Sequence, residues 1–217
     1  MAKRLFDFWF SLVALLVLSP LILVIAILTK LSSPGPVLYA GTRIGQFGKP
    51  FRFFKFRTMV VNADKIGGPS TADDDPRITR VGKFLRKYKL DELPQFFNVL
   101  KGDMSFVGPR PEVPQYVEMF SEKERAILTV RPGITDWATL WNPDEGAALA
   151  SSQDPEKTYV QDIRPVKIGL QLEYVRKRSL WVDLTILFQT LFTMLLRHNP
   201  AATNMLEKRG ENANCNR

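Results

Sequence analysis

Cysteine and histidine are nearly absent from this chain of 217 residues. Cys215 is the one cysteine and His198 the one histidine, so a disulfide framework and a cysteine-type metal cluster are excluded. A single histidine leaves neither a metal-binding set nor a serine–histidine dyad to build. Any catalytic chemistry must therefore rest on other side chains.

Acidic residues are few relative to basic ones. Lysine and arginine total 30 against 22 aspartates and glutamates, which gives a net charge of +8. This balance favours an anionic partner: a nucleic acid, a lipid surface or a phosphorylated small molecule. The aromatic side chains fall in predicted strands and in an apolar segment rather than among basic residues, which argues against nucleic acid.

The chain lacks internal repeats and low-complexity tracts, and its length suits one ordinary domain with an appendage. The appendage is the apolar run at residues 5–28, LFDFWFSLVALLVLSPLILVIAIL, whose only charge is Asp7. A straight helix crosses a bilayer with about 20 apolar residues, so the length is sufficient. A cleaved signal peptide is disfavoured, because the run is long and KLSSPGPVLYA after it offers no good cleavage site.

A Ser19–Pro20 pair lies in the middle of this run. Pro20 has no N–H to donate and its ring crowds the carbonyl of Leu16, so a helix bends there, while the Ser19 hydroxyl can satisfy freed backbone groups. Basic residues flank the run on both sides and favour the cytoplasmic face. We therefore predict a re-entrant helix–break–helix over residues 1–31, in preference to a straight spanning helix. The flanking residues are Lys3, Arg4, Lys30 and Arg43.

Residues 32–199 are predicted to form a small domain of α+β class at the cytoplasmic face, in which helices dominate and strands are short. VLYA and FRFFKFRTM predict a hairpin across GTRIGQFGKP. Apolar spacing, capping residues and prolines predict the other elements. These are helices over residues 77–89, 91–102, 121–130 and 154–178 (interrupted at Pro165), a short strand with a rigid corner over residues 104–112, and an irregular segment over residues 131–143.

A second apolar segment covers residues 179–196, SLWVDLTILFQTLFTMLL. Polar residues interrupt it at near-helical spacing, which favours an amphipathic helix in the membrane interface or packed on the first helix, rather than a second span. Residues 200–217 form a polar tail that is predicted to be disordered. The interrupting residues are Asp183, Thr185, Gln189 and Thr193.

The acid pair Asp91–Glu92 follows a basic cluster. Adjacent helical residues point about 100° apart, so the two carboxylates can do different jobs at one site. Carboxylates repel phosphates unless a divalent cation lies between them or one carboxylate attacks phosphorus. The alternative is structural, since acids in a first helical turn favour the helix dipole and basic helices are commonly solvated faces. The basic cluster comprises Arg77, Arg80, Lys83, Arg86, Lys87 and Lys89.

Arg110 lies between Pro109 and Pro111 in the segment GPRP. Proline fixes φ and restricts the residue before it, so this backbone is stiff. A stiff backbone has little ordering entropy left to lose on binding, and arginine makes bidentate contacts with phosphate. The segment therefore predicts a phosphate or planar-ligand contact at Arg110.

Several long motifs closely resemble the bacterial sugar transferases known as monotopic phosphoglycosyl transferases, over about residues 3–196. The motifs are KRLFDF…SP, SPGPVLYAGTRIGQFGKPFRFFKFRTM, PRITRVGKFLRKYKLDELPQFFNVLKGDMSFVGPRPE and VRPGIT. The resemblance implies transfer of a sugar 1-phosphate from a UDP-sugar to polyprenol phosphate, usually undecaprenyl phosphate, with release of UMP. This is the first membrane step in the synthesis of O-antigen, capsule, exopolysaccharide or glycoprotein. The length resembles the family's minimal catalytic form.

The resemblance also implies a location and catalytic roles. The protein would be monotopic at the cytoplasmic face of the bacterial inner membrane, among anionic lipid head groups, and a homodimer is one of the oligomeric states left open. Asp91 in LDELPQ looks like the nucleophile that forms a covalent phosphosugar intermediate. Glu92, with Asp91, looks like the binding site of Mg²⁺, the implied cofactor. Ser19 and Pro20 look like the break in the membrane helix.

Binding roles follow from the same resemblance. Arg86 in LRKYKLDE looks like a phosphate-binding residue, and Arg110 with Pro111 resembles the nucleotide-side contact. The remaining candidate substrate-binding residues are Lys55 and Arg57 in FRFFKFRTM and Arg131 in VRPGIT.

The sequence departs from the family pattern in its C-terminal third. Many relatives continue RPGIT with Gly-Trp and an Asn-Gly-Arg stretch, whereas this chain has DWATLWNPDE from Asp136 to Glu145 and lacks that later arginine. Many also carry an aspartate three residues before the tyrosine of QLEYVRKRSLWVD, where this chain has Gln171. Both changes leave the identity of the sugar open, more than they affect the reaction.

Two other functions compete with this one. Asp73–Asp75 has the D-x-D spacing of metal-dependent nucleotide-sugar glycosyltransferases, which release UDP, but GGPSTA before it is not a strand, so a solvated loop is expected. A basic membrane-binding module without catalysis would tolerate Asp91→Asn, because loss of an acid should strengthen anion binding.

Overall fold

The structure, a computed structural model, describes residues 2–67, 70–150 and 152–195. As predicted, it is an α+β fold in which helices dominate and the strands are short. His198, Cys215 and the predicted tail lie outside the described residues. The strands are β1 (Leu38–Ile44), β2 (Pro50–Phe56), β3 (Ser105–Val107) and β4 (Gly133–Thr135). The α-helices are α1 (Ala2–Ser32), α2 (Ala63–Ile66), α3 (Arg80–Lys87), α4 (Gln95–Lys101), α5 (Pro114–Glu118), α6 (Trp137–Trp141), α7 (Glu145–Ala150), α8 (Pro155–Thr158), α9 (Arg164–Lys177) and α10 (Leu180–Leu195).

The apolar N-terminal segment forms one long helix, α1, which continues through Ser19 and Pro20. The predicted break is therefore not an interruption between two helices. The reason is local: Pro20 cannot donate to the carbonyl of Leu16, and the Ser19 hydroxyl donates to that carbonyl instead, at 2.8 Å. The predicted role of Ser19 in satisfying the freed backbone group is confirmed.

One face of α1 is buried against the rest of the chain near both ends of the helix. Asp7 and Ser11 are buried near its start, and Ile25 and Thr29 near its end. Residues 7 and 25 are about five helical turns apart and so lie on the same face. The other faces expose apolar side chains, including Leu5, Trp9, Leu16, Val17, Leu23, Val24, Ile27 and Leu31.

Two arginines attach α1 to the domain through backbone carbonyls. Arg4 donates to the carbonyls of Val99 and Leu100 at 2.6 and 2.7 Å, where α4 ends. Arg57, the residue directly after the strand Pro50–Phe56, is buried and binds carbonyls at the C-terminal end of α1. The helix dipole favours cations at this end of a helix. The acceptors of Arg57 are the carbonyls of Thr29 at 3.4 Å, Ser33 at 2.7 Å and Pro34 at 2.6 Å.

The predicted hairpin is confirmed: β1 pairs antiparallel with β2, from Leu38 opposite Phe56 to Ile44 opposite Pro50. Buried Asn98, on α4, binds the free edge of β2. It accepts from the N–H of Phe54 at 3.0 Å and donates to the carbonyl of Arg52 at 2.7 Å. This side chain fixes the position of α4, and of the residues just before it, relative to the hairpin.

The segment at residues 131–143 was predicted to be irregular, and that prediction is wrong. It contains β4, which pairs in parallel with the predicted strand β3, followed by α6. The two strands approach closely at Gly108 and Gly133, where a Cβ on Gly133 would lie 2.1 Å from the Gly108 nitrogen. Around this pair lies the main core, which includes Phe53, Val99, Met104, Phe106, Val107, Leu140, Leu170 and Ile186.

The remaining helices differ from the predictions mainly in type. The capping box at Ser121 and Glu124 forms in both directions, at 2.7 and 3.4 Å, but it begins a 3₁₀ segment, Glu124–Thr129. The interruption near Pro165 is a π turn at Tyr159–Ile163, directly before α9.

The C-terminal apolar segment forms α10, which packs on the domain. Asp183 is buried, pairs with Lys3 of α1 and accepts from the Tyr174 hydroxyl at 2.8 Å. The segment thus contacts the first helix at this ion pair and otherwise packs on α6, β3 and β4. The outer side of α10 exposes Trp181, Leu184, Phe188, Leu191, Phe192 and Met194.

Candidate active site

The acid pair lies on a short 3₁₀ segment, Leu90–Glu92, which we call the acid turn. The prediction of one helix over residues 91–102 is therefore only partly right, since α4 begins at Gln95. Lys89 precedes the turn with φ 55°, in the left-handed region, and separates the acid turn from α3. Gly102 ends α4 with φ 99°, as predicted.

Glu92 is held by two cations. Its carboxylate accepts from Lys55 Nζ at 2.8 Å and from both terminal nitrogens of Arg110, one of them at 3.1 Å. Burial alone would raise the pKa of Glu92, but the charges of Arg110 and Lys55 hold it well below its usual value. Glu92 is therefore an anion that fixes Lys55 and Arg110 at this site.

Asp91 is less well satisfied, although it is only 4% exposed. Its Oδ2 lies 3.7 Å from Lys55 Nζ, and its buried Oδ1 has no hydrogen-bond partner among the described residues. Burial raises the pKa of Asp91, the charge of Lys55 opposes the rise, and that of Glu92 adds to it. A buried carboxylate with a free oxygen beside a cation suits nucleophilic attack on phosphorus.

A basic residue outside the predicted set joins Lys55 and Arg110 at this site. Arg43, Lys55 and Arg110 surround the buried ring of Phe53, at 5.6, 5.6 and 5.9 Å from its centre. Arg43 was not among the predicted site residues. The feature of the sequence that could have identified it is its place in β1, directly opposite Phe51 in β2, the strand that carries Lys55.

Arg86, a predicted phosphate-binding residue, also lies at the site. Its Nε donates to the Thr58 hydroxyl at 3.0 Å, and no carboxylate forms an ion pair with it among the described residues. Burial lowers the pKa of Arg86, while the charges of Asp91 and Asp73 oppose this effect. Its guanidinium therefore keeps donors that no described carboxylate uses.

Two predicted substrate-binding residues are not brought into the site. Arg57 binds the carbonyls at the end of α1, as described above, because it directly follows β2, where the chain passes the end of that helix. Arg131 is exposed and donates to the carbonyl of Gly102 at 3.1 Å, at the end of α4. Pro111 is buried directly after Arg110, and its predicted contact with the nucleotide stays a prediction.

The two departures from the family pattern meet in space behind Arg110. Asp136 accepts from the Arg110 backbone N–H at 3.3 Å and from the Gln171 amide at 3.2 Å, and it also caps α6 by accepting from the Thr139 N–H at 2.7 Å. Asp136 and Gln171 are fully buried. They therefore hold the backbone from which Arg110 reaches Glu92.

A second ion cluster lies next to the segment that carries Arg110 and is centred on the buried side chain of Lys167. Lys167 lies 2.8 Å from Glu112, 3.0 Å from the Tyr159 hydroxyl and 3.3 Å from Glu145. Burial alone would lower the pKa of Lys167, but the charges of Glu112 and Glu145 raise it well above its usual value. The cluster is fully paired, which indicates a structural role.

The described residues contain no group of three or more metal-ligating side chains. Asp73 and Asp74 are exposed, as predicted, and Asp75 is engaged by Arg77 at 2.6 Å. Oxygen donors for Mg²⁺ at the acid turn are the free Oδ1 of Asp91 and the carboxylate of Glu92, whose oxygens are shared with Lys55 and Arg110. One or two carboxylates with substrate phosphates are the usual ligands of Mg²⁺, so this set fits the ion.

Comparison with known protein families gives a match that covers nearly the whole chain and includes the residues of this site. The family model described as bacterial sugar transferase matches residues 1–197, so the chain belongs to that family. This confirms the resemblance recognised in the sequence.

Named relatives agree with the family assignment. A protein of Aeromonas hydrophila, named UDP-N-acetylgalactosamine-undecaprenyl-phosphate N-acetylgalactosaminephosphotransferase, is 41% identical over 89% of this chain and 43% of its own length. The UDP-glucose:undecaprenyl-phosphate glucose-1-phosphate transferase of Escherichia coli K12 is 41% identical over 88% of this chain and 39% of its own length. The exopolysaccharide production protein ExoY of Sinorhizobium fredii is 36% identical over 88% of this chain and 84% of its length. The chain thus spans about two fifths of the first two relatives.

Proposed function

We propose that this protein transfers a sugar 1-phosphate from a UDP-sugar to a polyprenol phosphate such as undecaprenyl phosphate, and releases UMP. The names of the Aeromonas and Escherichia relatives support this reaction class. The observation that carries the proposal is Asp91, a buried carboxylate with one free oxygen, flanked by Lys55 and Arg86. The product would begin the assembly of a bacterial polysaccharide or other glycoconjugate.

The chemistry proceeds in two displacements. An oxygen of Asp91 attacks the phosphorus that bears the sugar, the bond from that phosphorus to UMP breaks, and UMP leaves with the electron pair. An oxygen of the polyprenol phosphate then attacks the same phosphorus, and the Asp91 carboxylate leaves. Lys55, Arg86 and Arg110 offset the negative charge that would otherwise keep a carboxylate and a diphosphate apart.

Mg²⁺ is the proposed cofactor, held by Asp91 and Glu92. When bound, the ion supplies positive charge to the donor diphosphate. Glu92 shares its oxygens with Lys55 and Arg110, and both cations can turn to diphosphate oxygens when the donor binds. The protein's own contribution is to keep two carboxylates and several cations within one buried site.

We also propose that α1 is re-entrant and that the enzyme is monotopic at the cytoplasmic face. A helix of 31 residues is about 46 Å long, enough to cross a bilayer. A straight crossing would carry Arg57 and its carbonyl partners, or Arg4 and its partners, away from the face where the domain lies. The exposed apolar faces of α1 and α10 would instead enter one leaflet beside anionic head groups.

Trapping of the intermediate tests the reaction. Membrane-bound enzyme is incubated with a UDP-sugar labelled in the sugar, without polyprenol phosphate, then quenched and mapped by mass spectrometry. The proposal predicts one equivalent of UMP released and a phosphosugar adduct on Asp91. Turnover without an adduct, or release of UDP, would overturn it. Repeating UMP release across a panel of UDP-sugars identifies the donor.

Cysteine labelling tests the topology. In a Cys215→Ser background, single variants Ala2→Cys and Leu31→Cys place thiols at the two ends of α1. Both are expected to react with a membrane-impermeant reagent from the cytoplasmic side. Labelling of the two ends from opposite sides would show that α1 spans the membrane.

A further inference from the structure

Lys89 lies at the point where the chain turns from α3 into the acid turn, two residues before Asp91. Its φ of 55° is in the left-handed region, which residues with a Cβ enter at an energetic cost. Its carbonyl accepts from the Glu92 N–H at 3.3 Å, so the backbone of Lys89 helps to close the turn that carries both acids. The fold therefore holds this residue in a costly conformation beside the site.

The side chain of Lys89 is half-buried among charged groups of the site. Burial lowers the pKa of Lys89, the charges of Glu92 and Asp144 oppose this effect, and those of Arg110 and Lys55 add to it. Even so, its ammonium has no hydrogen bond or ion pair at bonding distance within residues 2–67, 70–150 and 152–195. The group thus has three unused donors in a partly dry environment.

Lys167 shows how this chain treats a buried lysine that has a structural role. Its ammonium contacts Glu112, Glu145 and the Tyr159 hydroxyl, all within 3.3 Å. Lys89, which is half-buried, has no such set of partners among the described residues. An anionic ligand at the acid turn would supply one.

The position of Lys89 indicates which anion. Arg86 donates to the Thr58 hydroxyl. The carbonyl of Lys89 instead accepts from the N–H of Glu92, whose carboxylate binds both Lys55 and Arg110. A nucleotide-sugar donor has two phosphates, and attack on the one that bears the sugar leaves the other on UMP. The two sides of Asp91 thus match the two phosphates.

We propose that Lys89 binds the nucleotide-side phosphate of the donor, together with Arg110, and stabilises UMP as it leaves. This inference rests on the proposed function. It assigns a substrate-binding role to a residue that neither the motif analysis nor the names of the relatives single out.

Equilibrium binding of UMP to the full chain in a membrane mimetic tests the proposal without turnover. Lys89→Gln is expected to raise the dissociation constant of UMP about tenfold or more, because a charge-assisted phosphate contact is lost. Lys89→Arg should retain most of the affinity. The matched control is Lys101→Gln, which removes an exposed ammonium that pairs with Asp103 away from the acid turn.

Steady-state kinetics and thermal unfolding complete the test. Lys89→Gln should raise KM for the UDP-sugar, leave KM for polyprenol phosphate unchanged, and leave the melting temperature unchanged or higher. A rise in the KM of polyprenol phosphate instead would place Lys89 on the acceptor. Unchanged UMP binding with a lower melting temperature would show a structural role. Both results overturn the proposal.

Failure of the proposed function would look different. If the parent chain binds UMP, and Lys89→Gln does not, while no UDP-sugar yields UMP, then the phosphate site stands and the reaction is wrong. If the parent chain turns over normally and Lys89→Gln binds UMP as the parent does, the reaction stands and the assignment of Lys89 is wrong.

Discussion

The basic residues of this chain fall into two groups that the sequence does not distinguish. Arg4, Arg57 and Lys167 use their donors within the fold, on backbone carbonyls or on buried carboxylates. Arg86 and Lys89 lie around the acid turn and keep donors without a carboxylate at bonding distance in the described part of the chain. A count of charges predicts an anionic partner. Where that partner binds depends on which basic side chains still have donors that the fold does not use.

The two groups should also affect stability in opposite directions. A buried arginine that binds several carbonyls stabilises the fold, because its loss leaves those carbonyls without donors. A partly buried cation without an ion-pair partner destabilises it, and so does a buried carboxylate with a free oxygen. Substitutions in the first group are therefore expected to change stability, and those in the second to change activity.

The largest effect is expected for Asp91→Asn. Loss of the nucleophile should reduce UMP release by about 10³-fold or more. The pKa of Asp91 is raised in the folded chain, so its ionised form is disfavoured by folding at neutral pH, and the variant should melt at the same or a higher temperature. UMP release and calorimetry at neutral pH measure both quantities.

Asp74→Asn is the control for this variant, because Asp74 is exposed and lies in the acidic loop. It should leave both turnover and melting temperature near those of the parent. If Asp91→Asn kept its turnover, Asp91 would not be the nucleophile, and the chain would be an enzyme of a different mechanism.

Arg86→Ala and Arg57→Ala compare the two groups directly. Arg86→Ala should lower kcat/KM by about 10²-fold, through loss of a phosphate contact in the transition state, with little change in melting temperature. Arg57→Ala should lower the free energy of unfolding by about 3 kcal/mol, because buried carbonyls lose a charged donor. Activity per folded molecule should be retained in Arg57→Ala.

Denaturant titration and kinetics on the same preparations check this pair. If Arg57→Ala folded normally and lost activity instead, its sequence-based assignment as a substrate-binding residue would be restored. The comparison between structural and site cations would then fail.

The pH dependence of kcat/KM should report on Asp91. A nucleophilic carboxylate must be ionised, and burial raises its pKa above the ordinary value. Activity is therefore expected to fall as the pH drops through that raised pKa, at a higher pH than for an ordinary aspartate. Lys55→Met removes the charge that opposes the rise, so the acidic limb should move to higher pH. An unmoved limb in that variant would mean that another group controls it.

Local patterns predicted the elements whose causes are local. The hairpin, the stop at Gly102 and the bond from Ser19 to the Leu16 carbonyl all follow from residue type and short spacing. β4 was missed because its three residues are strand-forming only beside β3, where Gly108 and Gly133 allow close approach. Elements fixed by tertiary contact leave little trace in a single sequence.

The site was predicted in part for the same reason. Asp91, Glu92, Arg86 and Arg110 belong to specific motifs, and the structure brings them together. Arg57 lies apart from these four in the structure, because an arginine in a predicted strand gives no sign of whether its donors meet a helix end or a ligand. That information exists only once α1 has packed against β2.

The smallest effect is expected for Gln171→Met, which keeps the volume of a buried side chain and removes its bond to Asp136. Asp136 would still accept from the Arg110 N–H, so Arg110 should be held less firmly rather than released. One lost hydrogen bond is worth about 1 kcal/mol, which predicts a rise of about fivefold in the KM of the UDP-sugar, with kcat nearly unchanged. Gln115→Met, on the exposed side of α5, should change neither constant. If Gln171→Met lowered kcat alone, Gln171 would act on the reacting groups themselves. Gln171 and Asp136 would then be part of the active site, and their role would not be limited to holding the backbone of Arg110.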